Sequence, residues 1–309
     1  MIESRNTAML KSLGSIIIMS AVILSGCNEE KEPTKEIPYS GELNHVHGIG
    51  YAGNNDGLYF ASHTGLKIHR EGSWYTISDN FFDYMGFSPT DEGFYTSGHP
   101  SADSDMPNPL GIQKSTDSGK SLEHIAFEGE TDFHALAVGY ESHDIFLLNP
   151  EVNSELAVGF YKRKSTQDQW ESVNAAGLEG ELSAIALHPS NSNLVAAATS
   201  TGVYVSKDGG EQFERITEEA VRGTAVFFNE TELYYASYEE NAMLTKYTTT
   251  TNQEEQVSLP NLKKDAVAFI AQNPANEEEL GLYTLQGKAF LTQDNGGTWS
   301  SLLQQGKVD

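Results

Sequence analysis

The sequence predicts an all-β fold, a single six-bladed β-propeller with four antiparallel strands per blade, and three observations carry that prediction. Six segments begin alike, each with two short apolar runs separated by a turn. Three turns of one pattern recur at about twice the length of a blade. No stretch carries the 3.6-residue apolar period of a convincing amphipathic helix.

The six units follow in order along the chain. The paired runs start at His47 and Gly57, Met85 and Gly93, and His134 and Asp144, then at Ser183 and Leu194, Thr224 and Leu233, and Ala268 and Leu280. A seventh blade would need a repeat for which the sequence has no candidate.

The recurring turn reads Ser/Thr-x-Asp-x-Gly-x-x-large and has the form of an Asp-box. It occurs around Asp117 (STDSGKSL), Asp208 (SKDGGEQF) and Asp294 (TQDNGGTW). In such a hairpin Asp and Ser/Thr side chains bond nearby backbone amides, Gly takes the positive φ, and the last large residue packs into the blade. From Asp117 to Asp208 is 91 residues and from Asp208 to Asp294 is 86, so degenerate copies are expected between them. Trp170 and Thr248-Thr249-Thr250 mark these positions, and another copy stands at Gly72-Ser73-Trp74.

These turns resemble those of sialidase, sortilin and photosystem-assembly propellers. With His45-Val46-His47-Gly48, Ser97-Gly98-His99-Pro100 and Asp132-Phe133-His134-Ala135-Leu136, the chain resembles bacterial BNR-repeat lipoproteins commonly labelled glycosyl hydrolases, over residues 43–300. The resemblance implies the propeller fold and leaves the chemistry open, because such turns lie on the rim opposite the usual site.

The N-terminus has the layout of a lipoprotein signal. Arg5 and Lys11 precede an apolar run from Leu13 to Leu24, and Leu24-Ser25-Gly26-Cys27 forms a lipobox. Residues 1–26 are read as a signal peptide, with Cys27, the sole cysteine, as the lipidated first residue of the mature chain. The apolar run is too short and too interrupted for a permanent span. Residues 27–40, charged and Pro-containing, are read as a disordered tether, and 41–309 as the propeller. The expected location is therefore extracytoplasmic, lipid-anchored to the cell membrane, and a monomer is expected. The formal charge of −25 argues against nucleic acid as a partner.

The repeat alignment also maps the histidines. In a propeller the first strand of each blade begins on the face that carries the loop joining strands two and three. His47, Met85 and His134 occupy first-strand starts, and His45, Asp83 and Asp132 stand two residues earlier. His63 and His99 fall in the second-to-third strand loops of the first two blades, and a longer insert, Ser101 to Asn108 with Met106, follows His99. Five of nine histidines thus converge with Met85 and two carboxylates. Imidazole with thioether favours copper, and imidazole with carboxylate suits zinc or another divalent ion.

The favoured expectation is a transition-metal site, copper first, formed by His45, His47, Met85, His134, His63 and His99, serving metal capture or delivery to a metal-handling protein. The alternatives are a glycoside hydrolase with Asp83 and Asp132 as the carboxylate pair, and a non-enzymatic assembly or binding propeller. The arginine triad by which sialidases hold a substrate carboxylate is missing, since only Arg5, Arg70, Arg163, Arg215 and Arg222 are present.

Overall fold

A computed structural model describes residues 34–308 except 54, 55, 80 and 305. The signal segment and Cys27 lie outside the described residues. Blade one holds β2 (Val46–Tyr51), β3 (Leu58–Ser62), β4 (Gly65–Arg70) and β5 (Ser73–Ile77), with β1 (Glu36–Pro38) added outside β5. Blade two holds β6 (Asp83–Thr90), β7 (Gly93–His99), β8 (Ile112–Ser115) and β9 (Glu123–Ala126). Blade three holds β10 (Leu136–Val138), β11 (Ile145–Asn149), β12 (Gly159–Arg163) and β13 (Glu171–Val173). In blade four are β14 (Leu182–Leu187), β15 (Val195–Thr199), β16 (Gly202–Ser206) and β17 (Glu214–Arg215), and in blade five β18 (Arg222–Phe228), β19 (Leu233–Tyr238), β20 (Ala242–Thr248) and β21 (Gln253–Val257). The sixth holds β22 (Val267–Asn273), β23 (Asn276–Thr284), β24 (Ala289–Thr292) and β25 (Ser300–Gln304), with β26 (Lys307–Val308) outside. All pairs are antiparallel, so the predicted six-bladed propeller is what the chain forms.

The second strands are buried on both faces and read as unbroken apolar runs, LYFAS in β3, IFLLN in β11 and VAAAT in β15. The core is accordingly divided into six clusters, one between each pair of adjacent blades. Blades one and two meet through Tyr59, Ile68, Tyr84 and Phe94, and blades two and three through Tyr95, Phe127, Phe133 and Leu136.

Each blade is contiguous in sequence, so the ring closes without an exchanged strand. Its last seam is held by Leu43, whose amide donates to the Gly306 carbonyl at 2.7 Å and whose side chain joins Val46, Phe60, Tyr283 and Leu303 in the core. Tyr51 adds a hydrogen bond to Glu279 across the same seam, at 2.8 Å.

The three Asp-containing turns share one hydrogen-bond set. In the middle one the Ser206 hydroxyl donates to Asp208 and accepts from the Gly210 amide, both at 2.8 Å, while the Gln212 amide donates to Asp208 at 2.9 Å. These bonds, the Gln212 amide first, hold the Asp208 carboxyl below its usual range. Gly210 is required there: its φ is +91°, and an added Cβ would lie 2.5 Å from the Phe146 ring. Ser115/Asp117 and Thr292/Asp294 repeat the pattern.

One boundary differs from the sequence reading. Residues 34–40 belong to the folded unit, which starts at Thr34, and not to a tether reaching residue 40. Glu36-Ile37-Pro38 pairs with Ile77, Thr76 and Tyr75, and Glu36 forms an ion pair with Arg70. The outer edge of β5 offers unpaired backbone groups, and a charged, Pro-containing segment can cover that edge although its composition suggests disorder.

Candidate metal centre

The innermost strands begin irregularly, and this irregularity positions the site. The pairing register slips at the start of β2 (Val46/Gly48), β6 (Met85/Ser88), β14 (Leu182/Ala184), β18 (Gly223/Ala225) and β22 (Val267/Phe269). An extra residue in a strand bends it locally and re-aims a side chain. The extra residue is His47 in blade one, Ser183 in blade four and Ala268 in blade six, and all three line a central channel of about 370 Å³. His47 and His134 stand at the end of the channel where the innermost strands start, and Glu141, Glu230 and Glu277 at the other.

Three groups come together at the first mouth. His47, His63 and Asp83 each offer a donor atom, and these atoms all lie within 4.8 Å of one another. The His47 and His63 rings stack with centroids 4.7 Å apart, and His63 Nδ1 is 3.8 Å from Asp83 Oδ2. His45, at φ +53° where the chain turns into β2, brings its ring to 5.0 Å from His63. The loop carrying His63 is braced from inside: Ser62 donates to the Gly65 carbonyl at 2.7 Å, and buried Lys67 donates to the Thr64 carbonyl at 2.6 Å.

The polar atoms here are not spent on each other. His47 Nε2 and Asp83 Oδ1 are buried and lack a hydrogen-bond partner, an arrangement that costs free energy unless a ligand meets them. Burial first, then the neighbouring His63 imidazole, pushes the His47 pKa down to about 4, against the opposing pull of Asp83. His47 is therefore neutral at pH 7, the form that binds a metal.

A second group adjoins the first. His134 Nε2 lies 2.8 Å and His99 Nε2 3.4 Å from Asp132 Oδ2. The Ser97 hydroxyl, fully buried, donates to the other Asp132 oxygen at 3.3 Å and accepts from the Phe133 amide at 2.8 Å. The His47 and His134 rings are 6.4 Å apart.

The sequence-predicted residues are thus gathered on one mouth, in two groups. Met85 is buried on β6 opposite Ser97, and the nitrogen and oxygen donors that converge are imidazole and carboxylate. From the long insert, the contact to the site is made by Asn108, whose Oδ1 lies 2.7 Å from His99 Nδ1. Ser97 is visible in the sequence only as part of the segment Ser97 to Pro100, and Asn108 only as the end of the long insert. Tyr84 and Phe133 are fully buried between blades. His69, His143 and His188 lie elsewhere, against Trp74, Asp91 and the Glu230 carbonyl.

No protein-family model matches the chain, and no curated protein does. Many solved structures are similar in shape. A GH74 xyloglucanase from Xanthomonas campestris superposes with a TM-score of 0.54 at 15% identity, covering 88% of this chain and 47% of that one. An oligogalacturonate lyase from Vibrio parahaemolyticus gives 0.52 at 10% identity, over 88% and 85% of the two chains. YCF48 from Cyanidioschyzon merolae gives 0.51 at 13%, over 89% and 90%. The chain spans about half the length of the xyloglucanase, and at these identities the likeness is one of fold: a β-propeller shared by a xyloglucanase, an oligogalacturonate lyase and YCF48 alike.

Proposed function

We propose that the propeller binds a divalent transition-metal ion, Cu(II) or Zn(II), through His47, His63 and Asp83, with His45 as a further ligand. The anchored protein at the outer side of a membrane, as read from Cys27, would then capture or deliver that metal. The observation that carries this reading is the convergence of two imidazoles and a carboxylate whose donor atoms lie within 4.8 Å of one another, with His47 Nε2 and Asp83 Oδ1 buried and without a hydrogen-bond partner. Copper binds such a nitrogen and oxygen set most tightly in the divalent series, and a Cu(I) site would need the Met85 thioether as well. Metal-stripped mature protein titrated with Cu(II), Zn(II) and Cu(I) tests the reading. Cu(II) and Zn(II) should bind, and His47→Ala with Asp83→Ala should weaken binding about 100-fold or more. Equal affinity in wild type and double variant would refute it.

A second reading, docking of a protein on this same face, is favoured by one observation. Among the described residues, the large hydrophobic side chains that stand exposed, Phe81, Val152, Val158, Met243 and Leu285, all fall in loops or strand ends on the face where the innermost strands begin. Glycoside hydrolysis through Asp83 and Asp132 has less support, because both carboxylates face imidazoles.

A further inference from the structure

Each of the two groups contains a histidine–carboxylate pair that bridges adjacent blades in the same way. In blade one the loop between β3 and β4 supplies His63, which meets Asp83 at the entry to blade two. In blade two the end of β7, where the sequence predicts a loop, supplies His99, which meets Asp132 just before blade three. Each pair gains a third group from a first-strand start: His47, from the blade that carries His63, for the first, and His134, from the blade that carries Asp132, for the second.

The second group carries part of a ligand set. Asp132 stands at ligand spacing from each histidine, but the three donors do not all lie within 4.8 Å of one another as those of the first group do, so the set closes on one ion only when His134 swings toward His99. Donor atoms held about 2.1 Å from one ion stand about 3.0 Å apart at a right angle and about 3.4 Å apart at the tetrahedral angle. The separations of Asp132 Oδ2 from His134 Nε2 and His99 Nε2, 2.8 and 3.4 Å, fall close to these values. The outer contacts match as well. With Asn108 Oδ1 accepting from Nδ1–H of His99, the lone pair of that ring is left on Nε2, toward Asp132, and Ser97 steadies the carboxylate from behind. Metal-binding histidines and carboxylates are characteristically oriented in this way by groups that do not touch the ion. His134, whose side chain is 65% exposed, is free to swing so that an ion replaces the proton it shares with Asp132.

We propose that His99, Asp132 and His134 form a second metal position beside the first, so that the mouth of the channel holds a pair of divalent ions. The 6.4 Å between the His47 and His134 rings sets the two positions side by side. Two neighbouring dications favour a ligand that bridges them, such as hydroxide or a carboxylate. This inference rests on the metal-binding reading of the first group, and stoichiometry separates the two.

The experiment is metal analysis by mass spectrometry of Cu(II)-loaded, desalted protein, with electron paramagnetic resonance of the same samples. The wild type should retain two equivalents and show magnetically coupled copper. His99→Ala with His134→Ala, and the milder His134→Ala alone, should lower the content to one and abolish the coupling. His47→Ala with Asp83→Ala should leave the other equivalent. One equivalent in the wild type that survives the His99/His134 changes would overturn the second site and leave the first standing. One equivalent lost in both variants would mean a single shared site, and would overturn the pair. No retained metal would overturn both readings.

Discussion

Replacing Ser97 with alanine should weaken the fold and the second metal position together. Ser97 is fully buried, and its hydroxyl spans two blades by accepting from the Phe133 amide at 2.8 Å and donating to Asp132 at 3.3 Å. Removing it leaves the Phe133 N–H unpaired in the interior, which costs roughly 1–3 kcal/mol. The lost bond to Asp132 adds little, because water can reach that carboxylate. A net loss of about 2 kcal/mol corresponds to a fall in Tm of about 3–4 °C for a chain of this size. The fold itself supplies a control. Ser88 spans the same two blades lower down, accepting from the Val138 amide at 2.9 Å, and touches none of the histidines. Ser88→Ala should therefore lower Tm by a similar amount. In scanning calorimetry of the metal-free variants paired with metal analysis, both should melt early and only Ser97→Ala should lose copper. A Tm of Ser97→Ala within about 1 °C of wild type would refute the role of the hydroxyl as an inter-blade bond. Equal copper loss in Ser88→Ala would show that the loss reflects destabilisation alone.

Two further outcomes follow from the packing. Leu43→Ala should cost about 3 kcal/mol, within the range for fully buried leucines, because it empties the seam where blades one and six meet; a calorimetric shift no larger than that of exposed Leu285→Ala would refute the account of ring closure. Lys67 is 2% exposed, contacts the Thr64 carbonyl and the Tyr39 ring, and is pushed by burial down to about 8. Between pH 8 and the unfolded value near 10.4 the unfolded chain holds the extra proton, so the contribution of Lys67 to native stability rises with pH across that window, by up to about 3 kcal/mol. Lys67→Met should remove this rise, making the variant relatively more stable at pH 7 than at pH 10 in urea titrations. Parallel pH profiles for the two proteins would contradict it.

The sequence by itself determined the architecture, because a propeller blade is local. Its strands are neighbours in the chain, and its turns are specified within eight residues by Ser206, Asp208 and Gly210 and their counterparts. The same repetition placed the histidines together on one face, since a position within one blade has its equivalent in the next. The tertiary structure decided what is built between blades. Whether His63 meets Asp83, or His99 meets Asp132 and Asn108, depends on the angle between adjacent sheets and the path of a long loop, and no pattern within one repeat records either. Composition likewise read Glu36 to Pro38 as tether, whereas an unsatisfied sheet edge makes a strand of it. The six His and Asp side chains of the two groups were legible as a crowd; only the stacking of blades sorted them into two threes, because apolar packing sets the blade spacing and that spacing sets which side chains touch.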